Sequence, residues 1–293
     1  MNKRLRGTLF LLLAVFIWGS TFVAQSVGMD YIGPFTFATV RCSLAVLVLV
    51  PVTWLLELGK PGFWHRWTDP KLLRAGLFCG IALFAATTLQ QIGLIYTDAG
   101  KSGFLTAMYI VLVPILGLAL KRRVPASAWC GVVLAVAGLY LLSFAAGMHG
   151  INIGDVLTIG CAICFAVQII LIDLFGKDVD PIRLNTLQAA CCGILSCIAM
   201  GLTEQPELGN ILSCWFPLSY AGILSMGVAY TLQIIGQRDL NPTPASLIMS
   251  LEAVIAVIFG AIFLQETMTV TELCGCALVF FAVLLSQLPS KKN

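Results

Sequence analysis

Long apolar runs separated by short polar breaks organise this chain. A helix needs about 20 apolar residues to cross the hydrocarbon core of a bilayer. Ten stretches meet this requirement: Gly7 to Val27, Phe35 to Leu58, Leu72 to Ile95, Gly100 to Leu120, Val124 to Phe144, Asp155 to Phe175, Ile182 to Leu202, Trp215 to Gly236, Thr243 to Leu264 and Met268 to Gln287. The pattern predicts an all-α polytopic membrane protein with ten transmembrane helices. The breaks are short, as at Gly33-Pro34 and Asn241-Pro242, so neighbouring helices are expected to be antiparallel.

Composition supports the membrane assignment. Charged residues make up 11% of the 293 residues and hydrophobic residues 59%, whereas a soluble domain carries about 25% charged residues. A soluble fold cannot bury so much apolar surface, so lipid is the expected solvent for it. The net charge of +3 is small and does not favour a nucleic-acid partner.

The placement of basic residues predicts the orientation. If the N-terminus is cytoplasmic and successive spans alternate in direction, the external loops hold only Lys101, and Arg41 alone lies within a span. The remaining lysines and arginines fall on the cytoplasmic side, as the positive-inside rule requires. We therefore expect a multi-pass protein of a bacterial-type cell membrane, with both termini in the cytoplasm. The first span follows a basic start, but no small-residue cleavage site follows it, which favours a retained helix.

The two halves of the sequence resemble each other. The hexapeptide TLQQIG at 88–93 recurs as TLQIIG at 231–236, and Pro34 before span two corresponds to Pro181 before span seven. We predict a first repeat at 7–144 with spans one to five, and a second at 153–288 with spans six to ten. Five spans per repeat is an odd number, so the second repeat enters the membrane inverted. Inverted repeats are typical of secondary transporters.

Several short motifs occur in the same order as in a known family. They are Trp18-Gly19-Ser20-Thr21-Phe22, Pro34 with Arg41, Pro244-Ala245-Ser246-Leu247, Leu251-Glu252-Ala253-Val254 and Gln265-Glu266. Over essentially its whole length the chain resembles the EamA-like ten-span members of the drug/metabolite transporter superfamily. The resemblance implies substrates such as amino acids, other metabolites or drugs, and it implies export.

Charged residues inside spans are the first candidates for function, because charge in the bilayer is costly. Arg41 can anchor an anionic group or serve as a gate partner. It can equally form a structural pair with Glu252 or Glu266, or extend to the interface. Glu252, near the middle of span nine, can bind a cationic group, carry a coupling proton or act as a paired structural carboxylate.

Mid-span amides and aromatic rings are the second group of candidates. Gln90 and Gln233 are repeat-related, and their amides can bind a zwitterion or link helices by hydrogen bonds. Mid-span aromatic residues lie away from the interfacial belts in which such rings are enriched. A cavity lining and plain core packing both remain open for this set, which comprises Trp18, Tyr109 and Tyr230, together with Gln168.

Motifs for other chemistry are missing from the sequence. It has no Gly-x-x-x-x-Gly-Lys-Ser/Thr loop, so ATP-driven transport is not predicted. Cys161-x-x-Cys164 has no second pair or histidine nearby, and we interpret it as core packing. No nucleophile–base pair is evident within a span. We therefore expect neither an enzyme nor a bound cofactor or metal.

These observations together predict a secondary transporter that works by alternating access. Its expected partners are the lipid bilayer and a small-molecule substrate, such as an amino acid or a drug-like amphipathic compound, with a coupling proton as an open alternative. The rival interpretations are an intramembrane enzyme, a channel and a non-transporting membrane sensor.

Overall fold

The structure, a computed structural model, describes residues 2–58, 62–97, 99–122, 124–145, 152–263 and 269–287. Within these ranges all regular elements are helices. In chain order they are α1 (Lys3–Met29), α2 (Pro34–Leu56), α3 (Phe63–Trp67), α4 (Pro70–Tyr96), α5 (Ala99–Ala107), α6 (Tyr109–Ala119), α7 (Ala126–Ala145), α8 (Ile153–Phe175), α9 (Pro181–Thr203), α10 (Leu208–Ser213), α11 (Trp215–Ser219), a π-helical segment (Tyr220–Ala229), α12 (Tyr230–Asp239), α13 (Pro242–Met249), α14 (Leu251–Phe263) and α15 (Val270–Gln287).

The predicted all-α membrane fold is confirmed. In the described part of the chain, eight helical segments are long and apolar enough to cross a bilayer. Two shorter apolar helices, Ala126–Leu141 and Val270–Leu285, supply the fifth and tenth of the predicted runs. The span ends predicted at Leu264 and Met268, and the repeat end at Leu288, lie outside the described residues.

Three of the predicted spans are not single continuous α-helices. Span four breaks at Met108 between α5 and α6, and span nine breaks at Ser250 between α13 and α14. At each break the chain tightens locally, with i to i+3 hydrogen bonds from Val111 N to Met108 O (3.0 Å) and from Ala253 N to Ser250 O (3.3 Å). Span eight contains the π-helical segment. Hydropathy does not register such breaks, because the flanking residues remain apolar.

Each main helix–helix contact has a counterpart between the corresponding helices of the other half. The helix α4 packs along α8, and its counterpart in the second half, formed by the π-helical segment and α12, packs along α1. The helix α2 packs against its own counterpart α9, and α7 packs against α15. A chain built from two repeats is expected to show such corresponding contacts.

Two corresponding pairs of glycines allow close helix crossings. A Cβ added to Gly236 would lie 2.9 Å from the carbonyl oxygen of Gly7, where α1 meets α12. A Cβ added to Gly154 would lie 2.7 Å from the carbonyl oxygen of Gly93, where α4 meets α8. Both distances are shorter than a carbon–oxygen contact tolerates, so only glycine fits. Small residues at crossings are a common means of packing helices in membranes.

The helix pair α2–α9 is held at one end by a carboxylate that caps a helix. Glu204, which follows α9, accepts hydrogen bonds from Phe35 N (2.9 Å) and Thr36 N (2.7 Å) in the first turn of α2. It also accepts one from the Thr36 hydroxyl (2.6 Å). These bonds satisfy amides that have no partner within the helix, and a negative charge is favourable at a helix N-terminus.

The other end of the α2–α9 pair is held by an ion pair. Glu57, which follows α2, accepts a hydrogen bond from the guanidinium of Arg183 in the first turn of α9. A second arginine, Arg66, donates to Glu57 over 3.0 Å. The hydrogen bond from Arg183 is the main reason that the pKa of Glu57 lies below its usual range, although partial desolvation opposes it. The two halves of the chain are thus joined at both ends of this helix pair.

The capping role of Glu204 predicts a specific loss of stability. Glu204→Ala removes three hydrogen bonds at the start of α2 and should lower the free energy of unfolding by about 1–3 kcal/mol. Thermal unfolding of the purified protein measures this loss. Glu207→Ala, an exposed carboxylate in the same loop, is the control and should change the midpoint little. Equal midpoints for the two variants would contradict the capping role.

Candidate functional site

A buried cavity lies between the two halves of the chain. The space open to the centres of water-sized spheres is about 40 Å³, and one water needs about 10–15 Å³ on this measure. In this conformation the cavity has room for a few water molecules. Its lining residues are Trp18, Thr21, Phe22, Gln25, Arg41, Thr87, Gln90, Tyr109, Phe165, Ile169, Ser225, Tyr230, Gln233, Met249 and Glu252.

A tyrosine and a glutamate from opposite halves meet at the cavity. The hydroxyl of Tyr109 donates to Oε1 of Glu252 over 2.9 Å, and both side chains are buried. Tyr109 is the first residue of α6 and Glu252 the second residue of α14, so each follows the break in its span. The breaks therefore place both residues in a first helical turn, where the helix dipole favours the carboxylate of Glu252.

A buried arginine lines another part of the cavity. Nη1 of Arg41 donates to Oε1 of Gln25 over 2.6 Å, and its guanidinium lies 5.8 Å from the ring centroid of Phe37. Only 4% of Arg41 is exposed, and among the described residues its Nε has no hydrogen-bond partner. A buried donor without a partner costs about 1–3 kcal/mol.

The structure describes one of the two predicted partners of Arg41, Glu252. Arg41 forms no ion pair with Glu252, since its described bond goes to Gln25 instead. Glu266, the other predicted partner, lies outside the described residues, so the gate or structural pair of Arg41 with Glu266 stays a prediction.

Aromatic rings form one wall of the cavity. The rings of Trp18 and Tyr230 meet edge to face, with centroids 4.9 Å apart and an interplanar angle of 62°. The indole Nε1 of Trp18 is buried and has no hydrogen-bond partner in the described part of the chain. The two rings therefore give the cavity an apolar wall.

The predicted amides have separate partners. Gln90 lines the cavity and donates to the hydroxyl of Thr106 over 3.2 Å. Gln233 also lines it, and its Nε2 donates to Oε1 of Gln168 over 3.2 Å, with a longer return bond of 3.4 Å. Gln168 lies behind Gln233 and does not line the cavity. Behind Gln168, the amide of Gln188 continues the chain over 3.4 Å.

Asn185 connects this amide chain to the π-helical segment. Its Oδ1 accepts from Gln188 Nε2 over 2.9 Å. Its Nδ2 lies 2.9 Å from Met226 O, 2.8 Å from Gly227 O and 2.8 Å from the Thr231 hydroxyl. A change from π to α register leaves a backbone carbonyl without its usual helical partner, and the buried Asn185 supplies a donor there. Local π-helices occur frequently at functional sites.

Sequence analysis missed several lining residues that a helical pattern could have revealed. Thr21, Phe22 and Gln25 follow Trp18 at i+3, i+4 and i+7, so they share one face of α1. Thr87 lies one turn before a predicted glutamine on α4. By contrast, nothing in the hydropathy pattern marks Asn185, which acts on the backbone of a distant helix.

In the described ranges, no group of three or more His, Cys, Asp or Glu side chains is placed to hold a metal ion.

Comparisons with known proteins agree over nearly the whole chain. Residues 5–144 and 152–288 each match the EamA-like transporter family. An uncharacterized transporter of Archaeoglobus fulgidus is 34% identical over 289 residues, which cover 98% of this chain and 87% of that protein. The uncharacterized inner membrane transporter YedA of Escherichia coli is 24% identical, with 95% and 89% covered. A solved crystal structure at 18% identity superposes with a TM-score of 0.81 over 97% of each chain, which shows a shared fold.

Substitutions of two buried amide side chains test whether Asn185 stabilises the π-helical segment. Asn185→Leu removes the amide donor to Met226 O and Gly227 O, of which Gly227 O keeps the Thr231 hydroxyl as a donor, and it should lower the free energy of unfolding by about 2–4 kcal/mol. Gln91→Leu is the control, because Gln91 is buried but its amide atoms have no partner among the described residues. It should be neutral or stabilising. Thermal unfolding measures both, and equal losses would contradict the role of Asn185.

Proposed function

Since this chain belongs to the EamA-like transporter family, we propose that it is a secondary carrier that exports a small polar or amphipathic metabolite by alternating access. The family makes it a multi-pass membrane transporter. The observation that carries the finer proposal is the cavity between the halves, whose lining combines a buried arginine, a buried glutamate and an aromatic wall.

The charges in the cavity favour a zwitterionic cargo such as an amino acid. Arg41 has a donor without a partner, which suits a carboxylate. Glu252 has the Tyr109 hydroxyl as its described hydrogen-bond partner, which leaves acceptor capacity for an ammonium group. The Trp18–Tyr230 wall suits an apolar portion of the cargo.

The size of the cavity supports a cycle of conformations. Small-molecule pockets are typically about 300–1,000 Å³, so a cavity with room for a few waters must widen before it accepts a metabolite. We infer that the halves separate at one end to admit the cargo. Inverted repeats at 7–144 and 153–288 would let each end open in turn.

Glu252 is also our candidate for a coupling proton. It is a carboxylate within a membrane span, and it lies between the halves at the proposed cargo site. Intramembrane carboxylates in such positions serve as proton relays in transporters. Cargo and proton would then compete for one group.

Transport by purified protein in liposomes tests the proposal. Labelled amino acids and other small metabolites should move saturably, and Arg41→Gln or Glu252→Gln should lower the rate at least about tenfold, which is about 1.4 kcal/mol. Glu207→Gln, which changes an exposed carboxylate outside the cavity, should leave the rate unchanged. Failure to move any compound of a broad panel in either gradient direction would overturn the carrier, and unsaturable flux would indicate a channel.

The same variants separate cargo binding from proton coupling. If Glu252 carries the proton, the transport that remains in Glu252→Gln no longer responds to a pH gradient, whereas the slower transport of Arg41→Gln still responds to it. Uptake that still follows the pH gradient in Glu252→Gln would exclude Glu252 as the proton carrier.

Accessibility labelling tests the proposed orientation. In a background in which the native cysteines are replaced, an impermeant thiol reagent should label Glu207→Cys in intact cells. It should label Asn2→Cys only after the membrane is permeabilised, because the N-terminus is placed in the cytoplasm. The reverse pattern would overturn the orientation.

A further inference from the structure

A second cavity lies at the end of the bundle where α1 begins and α12 ends. It measures about 310 Å³ on the scale used for the central cavity. Three basic side chains line it, from the start of α1, the α8–α9 turn and the end of α12. They are Arg4, Lys177 and Arg238, with Ser127, Asn241 and Asp239 as polar neighbours.

The carboxylates near this cavity are already engaged. Asp239 receives two hydrogen bonds from Arg6, at 2.8 Å from Nε and 3.1 Å from Nη2. Asp173 pairs with two basic side chains. Arg122 donates to one of its oxygens, and Nζ of Lys177 lies 3.0 Å from the other. Two further carboxylates, Asp178 and Asp180, act electrostatically on Arg238, so the excess of positive charge around the cavity is small.

Two of the basic side chains, Arg238 and Lys177, are placed where they can bind a ligand. Nε of Arg238 donates to the carbonyl oxygen of Gly176 over 2.8 Å, which fixes the guanidinium plane, while its terminal nitrogens have no described hydrogen bond. Lys177 is half exposed, so its ammonium group can reorient. Asn241, which precedes α13, adds an amide NH2 group to the lining of the cavity.

We propose that this cavity binds a phosphate-bearing anion, supplied either by the headgroup of an anionic lipid or by a free phosphate. Arginine and lysine are the side chains that bind phosphate oxygens, and arginine can do so with two parallel hydrogen bonds. Basic pockets between transmembrane helices suit lipid headgroups. The volume accommodates a phosphate with a small attached group, whereas a chloride ion would contact only part of the lining.

The site is separate from the central cavity. Arg238 lies five residues beyond Gln233, which is about 7.5 Å along a helix at 1.5 Å per residue. A phosphate held by Arg4 and Arg238 joins α1 of the first half to α12 of the second. Binding therefore favours the conformation in which this end of the bundle is closed, whatever the cargo.

Thermal unfolding of the purified full-length protein tests the site. In micelles of an uncharged maltoside detergent, which contains no phosphate, phosphatidylglycerol or inorganic phosphate should raise the midpoint by about 3–6 °C. Sodium chloride at equal ionic strength is the control for screening. A rise with phosphatidylglycerol alone assigns the site to a lipid headgroup, and a rise with inorganic phosphate alone assigns it to a free anion.

Two matched double variants locate the effect. Lys177→Gln with Arg238→Gln should lose at least half of the rise. Lys71→Gln with Arg74→Gln removes the same charges from the start of α4, outside the cavity, and should retain it. If the first pair fails to fold, Lys177→Gln alone against Lys71→Gln alone gives the same comparison. Equal rises in the matched variants, an equal rise with chloride, or no rise at all would overturn the proposal.

Discussion

The structure depends on one constraint: polar groups placed in lipid must find their partners inside the protein. A backbone amide or carbonyl without a partner costs several kcal/mol in hydrocarbon. The chain meets this constraint with side chains from the opposite half, as where Glu204 caps α2 and Asn185 donates to the π-helical segment. The same side chains that satisfy the backbone therefore also join the halves. Some buried polar atoms still have no described partner, and two of them, Nε of Arg41 and the indole nitrogen of Trp18, belong to residues that line the central cavity.

The symmetric scaffold and the asymmetric cavity have different physical origins. Corresponding glycine pairs fix the crossings of α1 with α12 and of α4 with α8, so each half supplies the same framework. Only some of the groups that face the cavity correspond in kind, as Gln90 and Gln233 do. The buried arginine comes from α2 and the buried glutamate from α14, so the two halves contribute opposite charges. Shared backbone geometry positions chemically different side chains.

Much of this arrangement can be predicted from the sequence. Apolar run length alone gives the helices, because the thickness of the hydrocarbon core sets a minimum length. The cost of polar groups in lipid directs attention to Arg41, Glu252 and the mid-span aromatic residues, and the structure brings these residues around one cavity. The interruptions at Met108 and Ser250, and the π-helical segment, could not be predicted, because they are set by hydrogen-bond register and tertiary contacts. Hydropathy is insensitive to both.

The π-helical segment occurs in only one half. The corresponding residues 77–86 of the first half belong to the regular helix α4, whereas 220–229 have the wider register and rely on Asn185. With identical halves, the helix packed along α1 and the helix packed along α8 would be equivalent. Here the first contains a π-helical segment supported by a side chain of α9, whereas the second is a regular helix, so these two helix contacts differ in local stability.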